Sequence, residues 1–187
     1  MIQLQYPSLQ PVTCMPRGST FLDRLDKVWS SPYLRATQTA APTAARYSLM
    51  VHELPLHEFT YLCPARCAGT ATADRAQWLE EYWQRCEPHY IDGPGAEAFS
   101  SLVQRARSAI SHFKTKVSAS HSVAFSHGQF LQMIYWLSLY EGEPISNAGM
   151  RAYRAFDLKS PIHHCEGFSL EWRSPRAGGI VKPWRPA

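Results

Sequence analysis

Hydrophobic residues along this chain change their spacing several times, and each change marks a candidate element. Val28 and Trp29 within Lys27–Ser30 predict a short buried strand, fed by Phe21-Leu22-Asp23-Arg24-Leu25-Asp26, which has the pattern of the last turns of an amphipathic helix. Pro32 suits a helix start, so a helix is expected over 33–47, with Pro42 kinking it or ending it early. Residues 49–54 read as a second short strand bounded by Pro55. Ala76, Leu79, Tyr82 and Trp83 recur at helical spacing within 72–86. The turn Gly93-Pro94-Gly95-Ala96-Glu97 leads into the longest predicted helix, 98–116, where Phe99, Leu102, Val103, Ala106, Ile110 and Phe113 trace one stripe. Ser122-Val123-Ala124-Phe125-Ser126 is then a buried strand, and Gly128 precedes an apolar helix over 129–140. Residues 152–158 and 168–172 are read as two more strands, the second from the alternation of Phe168, Leu170 and Trp172. Strands alternating with helices predict an α/β three-layer sandwich with a mostly parallel sheet.

Composition narrows the setting. At 187 residues, 45% hydrophobic and 18% charged, residues 1–187 suffice for one substantial core and are too few for two independent domains. No run of about eighteen apolar residues argues for a membrane span, and residues 1–18 lack the apolar middle of a signal peptide, so a cytoplasmic location is expected by elimination. Five scattered cysteines, 14, 63, 67, 86 and 165, fit reduced thiols better than a disulfide framework. Cys63 with Cys67, and His163-His164-Cys165, lack the paired spacing of structural zinc sites, and neither a metal nor another cofactor is expected. The net charge of +4 is spread along the chain, which gives little support to nucleic-acid binding and is explained by a small anionic ligand. The tail 173–187, rich in Arg, Pro and Gly, is expected to lie loosely on the surface. The apolar stripes can serve a core or an interface, so they leave oligomeric state open.

Three residues carry candidate chemistry. Ser31-Pro32-Tyr33-Leu34-Arg35 places Arg35 where a strand runs into a helix, the position at which doubly wound folds hold ligands, and its planar fork suits a phosphate. The alternative is a surface helix arginine. Ser126-His127-Gly128 puts a histidine on the tip of a buried strand, with a glycine that lets backbone approach a ligand; the alternative is a hydrogen-bonded structural histidine. Amides at the helix start after Gly128, Gln129 among them, would add donors for an anion. Glu58 in Pro55-Leu56-His57-Glu58-Phe59 is a carboxylate in the loop after a strand, with Glu53 as its competitor.

Together the Ser31-Pro32-x-x-Arg35-x-x-x-Thr39-Ala40 segment and the Ser126-His127-Gly128 motif resemble the histidine phosphatase superfamily, the phosphoglycerate mutase-like enzymes, over residues 11–172. The resemblance implies a phosphoglycerate mutase-like sandwich that hydrolyses phosphate monoesters or transfers a phosphoryl group through a phosphohistidine, on a small phosphorylated substrate. It implies phosphate binding by Arg35, His127 and Gly128, a catalytic role for His127, and proton donation by Glu58, since Leu56-His57-Glu58 is similar to the family's L-x-E segment. Gly95-Ala96-Glu97 with Arg105 resembles the family's G-E-S helix start and its later arginine, but capping and packing account for both, and Ser146-Asn147-Ala148 is assigned a turn role. The family opens with a strand ending in Arg-His-Gly, whose histidine is the nucleophile, and that tripeptide occurs nowhere in this sequence. Arg17-Gly18-Ser19 stands too close to Ser31 to replace it, whereas Gln10-Pro11-Val12-Thr13 and Phe21–Leu25 look like the family's P-L-T segment and the end of its first helix. The resemblance therefore implies a chain truncated at its front, missing its first strand and of doubtful activity, a possible pseudoenzyme. His57 as substitute nucleophile is disfavoured because adjacent loop residues need not point to one place. A non-catalytic phospholigand-binding protein is the alternative, and an unrelated α/β binding domain a third.

Overall fold

The computed structural model describes residues 2–5, 24–116, 121–172 and 179–184. Six strands form one sheet: β1 (Ile2–Gln5), β2 (Lys27–Ser30), β3 (Val51–Glu53), β4 (Ser122–Phe125), β5 (Gly167–Glu171) and β6 (Ile180–Trp184), in the order β3-β2-β4-β1-β5-β6. The helices are α1 (Leu34–Arg46), α2 (Pro64–Cys67), α3 (Ala76–Arg85), α4 (Phe99–Lys116), α5 (Gly128–Leu139) and α6 (Asn147–Lys159). β3, β2, β4 and β1 are parallel, β5 runs antiparallel to β1, and β6 is antiparallel to β5 and so points the same way as β1.

Alternation along the central strands sorts the core into two faces. Val28, Val123 and Phe125 pack with Leu25 against Ala40 and Ala44 of α1. On the other face Ala124, with Trp29 packed beside it, joins the larger core built from α4, α5 and α6, including Leu102, Phe113, Leu131 and Tyr153. This is the expected three-layer α/β sandwich.

Four expectations are corrected. The first strand, expected to be missing, is present: Ile2–Gln5 lies between β4 and β5 and hydrogen-bonds to both. Four residues are too few to show a period, and the pairing comes from two neighbours more than a hundred residues away in sequence. Residues 152–158 form part of α6 rather than a strand. Met150 and Tyr153 are buried at helical spacing, and Ser146 caps the helix by accepting from the Gly149 amide at 3.0 Å. Within the tail expected to be loose, Ile180–Trp184 pairs along its whole length with β5, helped by Lys182 Nζ at 3.1 Å from Glu171 Oε1. Finally, Pro42 does not end α1 early: the helix runs through it to Arg46, and Pro42 is exposed there, so water can satisfy the carbonyl it leaves unpaired.

Among the described cysteines, Cys63, Cys67 and Cys86 carry free thiols, while Cys165, expected to be reduced, is disulfide-bonded. The readings placed on Gln10-Pro11-Val12-Thr13, on Arg17-Gly18-Ser19 and on Phe21-Leu22-Asp23 also fall outside the described residues. No helix of the described residues is long and apolar enough to cross a membrane, and among them no three His, Cys, Asp or Glu side chains gather into a possible metal site.

Candidate functional site

Register brings the carboxyl ends of four parallel strands level. Ser30 of β2 and Gln5 of β1 both pair with Phe125 of β4, and Glu53 of β3 pairs with Ser30. The segments carrying Arg35, Glu58 and His127 each leave the sheet from this edge, the side on which such sheets hold ligands.

From β2 the chain crosses Ser31 and Pro32 to Tyr33, whose extended backbone caps α1, so Arg35 sits in the first turn of that helix. From β4 it passes Ser126 to His127, the extended residue that opens α5. The two meet: Arg35 Nε donates to His127 Nδ1 at 3.1 Å, and His127 Nε2 lies 2.8 Å from Ser31 Oγ. Because Nδ1 accepts from a guanidinium, the ring proton resides on Nε2, which donates to Ser31. Burial, followed by the Arg35 charge, pulls the His127 pKa down to about 3, so the ring is neutral near neutral pH. Both ring nitrogens are thus engaged, and a phosphoryl oxygen reaches His127 only by displacing Arg35 or Ser31.

Tyr33 joins these groups to His57. Its ring stacks on His57 with centroids 6.0 Å apart, meets His127 edge-on at 5.1 Å, and lies 5.1 Å from the Arg35 guanidinium. His57, which sequence reasoning set aside, therefore borders the cluster; its pKa is lowered by burial and then by Arg105.

Glu58 is held at the start of α5, where its Oε1 accepts from the amides of Phe59 at 3.1 Å and Gln129 at 3.2 Å. Burial raises its pKa despite these donors and the Arg35 charge. The Gln129 amide, expected to face an anionic ligand, is occupied by Glu58. Gly128 lies between His127 and Gln129 as the first residue of α5. Glu53, its competitor, ends an edge strand and is exposed.

Residues 55–58 are fixed from α4. Arg105 Nη1 donates to the carbonyls of Pro55 at 3.1 Å and His57 at 2.8 Å, while Nε and Nη2 bind Glu97 at 3.0 and 2.7 Å. Ser126 Oγ adds a bond to the Leu56 carbonyl at 2.6 Å. Sequence reasoning gave Glu97 and Arg105 packing roles; their eight-residue separation gave no sign that they position the loop carrying His57 and Glu58.

The model of the histidine phosphatase superfamily, branch 1, matches residues 20–155. The chain belongs to this superfamily. No curated protein sequence matches the chain. Among solved structures, a putative alpha-ribazole-5'-P phosphatase from Escherichia coli is similar with 16% identity and a TM-score of 0.62, covering 97% of this chain and 94% of that one. A mycobacterial glucosyl-3-phosphoglycerate phosphatase complexed with VO3 is similar at 15% identity and TM-score 0.58, covering 100% and 98%. A phosphoserine phosphatase mutant from Entamoeba histolytica, in complex with phosphoserine, has 15% identity and TM-score 0.58, covering 96% and 93%. At these identities the likeness is one of fold. Against the superfamily pattern, no Arg-His-Gly follows β1, where the sequence reads Tyr6-Pro7-Ser8.

Proposed function

We propose that this histidine phosphatase superfamily member binds a small phosphate monoester at the carboxyl edge of its parallel strands. Arg35 and His127 hold the phosphoryl group, the backbone at Gly128 approaches it, and Glu58 faces the ester oxygen, where it would donate a proton once a nucleophile is supplied. The observation that carries this reading is the state of Arg35: it is exposed, no carboxylate among the described residues pairs with it, and its hydrogen-bond partner is a neutral imidazole. A cation so placed is completed by an anion, and a fork of donors suits phosphate. The direction of the Glu58 shift supports its part, because burial favours the protonated carboxyl, the form that donates to a leaving oxygen. The three phosphatases of like fold are consistent with this class of ligand.

The phosphohistidine step is another matter. His127 cannot both accept the phosphoryl group and support it, and no Arg-His-Gly is present. We therefore read the chain as a phospholigand-binding member without the family nucleophile. Vanadate titration and aryl phosphate turnover on the chain as given, beside the triple variant Gln5→Arg, Tyr6→His, Pro7→Gly, test this. Vanadate should bind both, and only the variant should turn over. No vanadate binding would overturn the reading; turnover by the chain as given would move the nucleophile to another residue, with His57, stacked on Tyr33, the first to replace.

A further inference from the structure

We infer that the phosphomonoester taken by this site has an aromatic leaving group bearing an acidic substituent, seated in the cavity that opens beside Glu58. This rests on the phosphate-site reading above. The cavity holds about 340 Å3, enough for one ring-bearing group, and Glu58 and Gln129 form one of its walls. A leaving group placed there presents its ester oxygen to the Glu58 carboxyl. A second cavity, of about 440 Å3, is lined by Tyr33, His57 and Arg105 but not by Glu58, so a leaving group seated there would lie away from the proton donor.

The remaining walls select the chemistry. Tyr61, Leu62 and Leu79 present apolar surface. Tyr61 is fixed before any ligand arrives, its ring lying 5.1 Å from Phe59, 4.7 Å from Tyr82 and 5.5 Å from Trp83. A rigid ring platform stacks a planar group at little cost in side-chain entropy. Thr60 and Thr72 add hydroxyls to the lining, and Arg75 adds a charge. Its Nε and Nη2 donate to the carbonyls of Ala71 and Thr70, each at 3.2 Å, which fixes the guanidinium while leaving further N–H groups for a ligand oxygen. Among the described residues no carboxylate forms an ion pair with it.

Titration with inorganic phosphate, methylphosphonate, phenylphosphonate and 4-carboxyphenylphosphonate tests the inference without requiring turnover. Phenylphosphonate should bind the unaltered chain about 10- to 100-fold more tightly than methylphosphonate, from burial of the ring. The para-carboxylate should add a further gain of roughly 3- to 10-fold that Arg75→Gln removes. Leu79 is half-buried on α3, and Leu79→Asp should bring the phenyl-to-methyl ratio close to one. Equal affinity of the unaltered chain for phenyl and methyl phosphonates overturns the aromatic subsite while leaving the phosphate site standing. Failure of phosphate and of every phosphonate to bind overturns the phosphate site, and the subsite with it. A para-carboxylate gain that survives Arg75→Gln removes Arg75 from its role.

Discussion

Arg35 lies over the ring of Tyr33, and Arg105 holds the backbone of His57, which stacks on Tyr33, but the two arginines do so under opposite conditions. Arg105 is only 11% exposed, and its donors are engaged by a bidentate carboxylate and two backbone carbonyls, with the ring of Phe130 4.3 Å from its guanidinium. Arg35 is exposed and donates to a single neutral histidine. The difference teaches how to divide similar side chains between structure and ligand. An arginine whose charge is already matched builds the site, whereas one whose charge is unmatched is left for an anion.

The largest effect separating the two is on stability. Arg105→Ala should destabilise the fold by about 3 kcal/mol in urea unfolding, because Glu97 is left largely buried without its partner and residues 55–58 lose two anchors. Arg35→Ala should cost only about 1 kcal/mol, the loss of one hydrogen bond to buried His127, while weakening vanadate binding by about 30- to 100-fold, or ~2–3 kcal/mol. Equal losses of stability in both variants would break the comparison. Ser31→Ala sharpens it on a smaller scale. Removing the Oγ partner of fully buried His127 should cost about 1–2 kcal/mol of stability, and urea unfolding checks whether that bond holds the imidazole in place.

The finest test is pH dependence. His127 has a folded pKa of about 3 against an ordinary 6.5, so the folded state binds fewer protons and stability is lost as pH falls from about 6.5 toward 3. Glu58 has the opposite sign. Its folded pKa is raised above 4.5, so the folded state binds more protons, and stability from this group is present below 4.5 and lost as pH rises through the raised value. Glu58→Gln, whose amide oxygen still accepts from Phe59 and Gln129, should therefore steepen the rise of stability with pH just above 4.5. Unfolding midpoints measured at half-unit steps check this, and an unchanged slope would remove the raised Glu58 pKa.

Much of this was legible before any coordinates. The long stripe from Phe99 to Phe113 and the short apolar runs at Val28-Trp29 and Ser122–Phe125 depend on local periods, and local periods survive into the fold. The segments around Arg35 and His127 could be read for the same reason, since a strand tip turning into a helix is written within ten residues. Residues 152–158 misled because Ala152, Phe156 and Leu158 fit a period of two while the buried pair Met150 and Tyr153 fits a helix; the choice falls to packing against α5.

What the sequence by itself determined was the α/β class, the family pattern of its motifs and the absence of Arg-His-Gly, because each is a property of residue identity over a short span. Tertiary structure alone decided that Ile2–Gln5 completes the sheet, that Ile180–Trp184 extends it, that Arg105 positions the loop of His57 and Glu58, and that both nitrogens of His127 are engaged. Those outcomes depend on partners from about ten to more than a hundred residues apart. The hydrogen bonds and desolvation that settle them exist only once the chain has closed on itself.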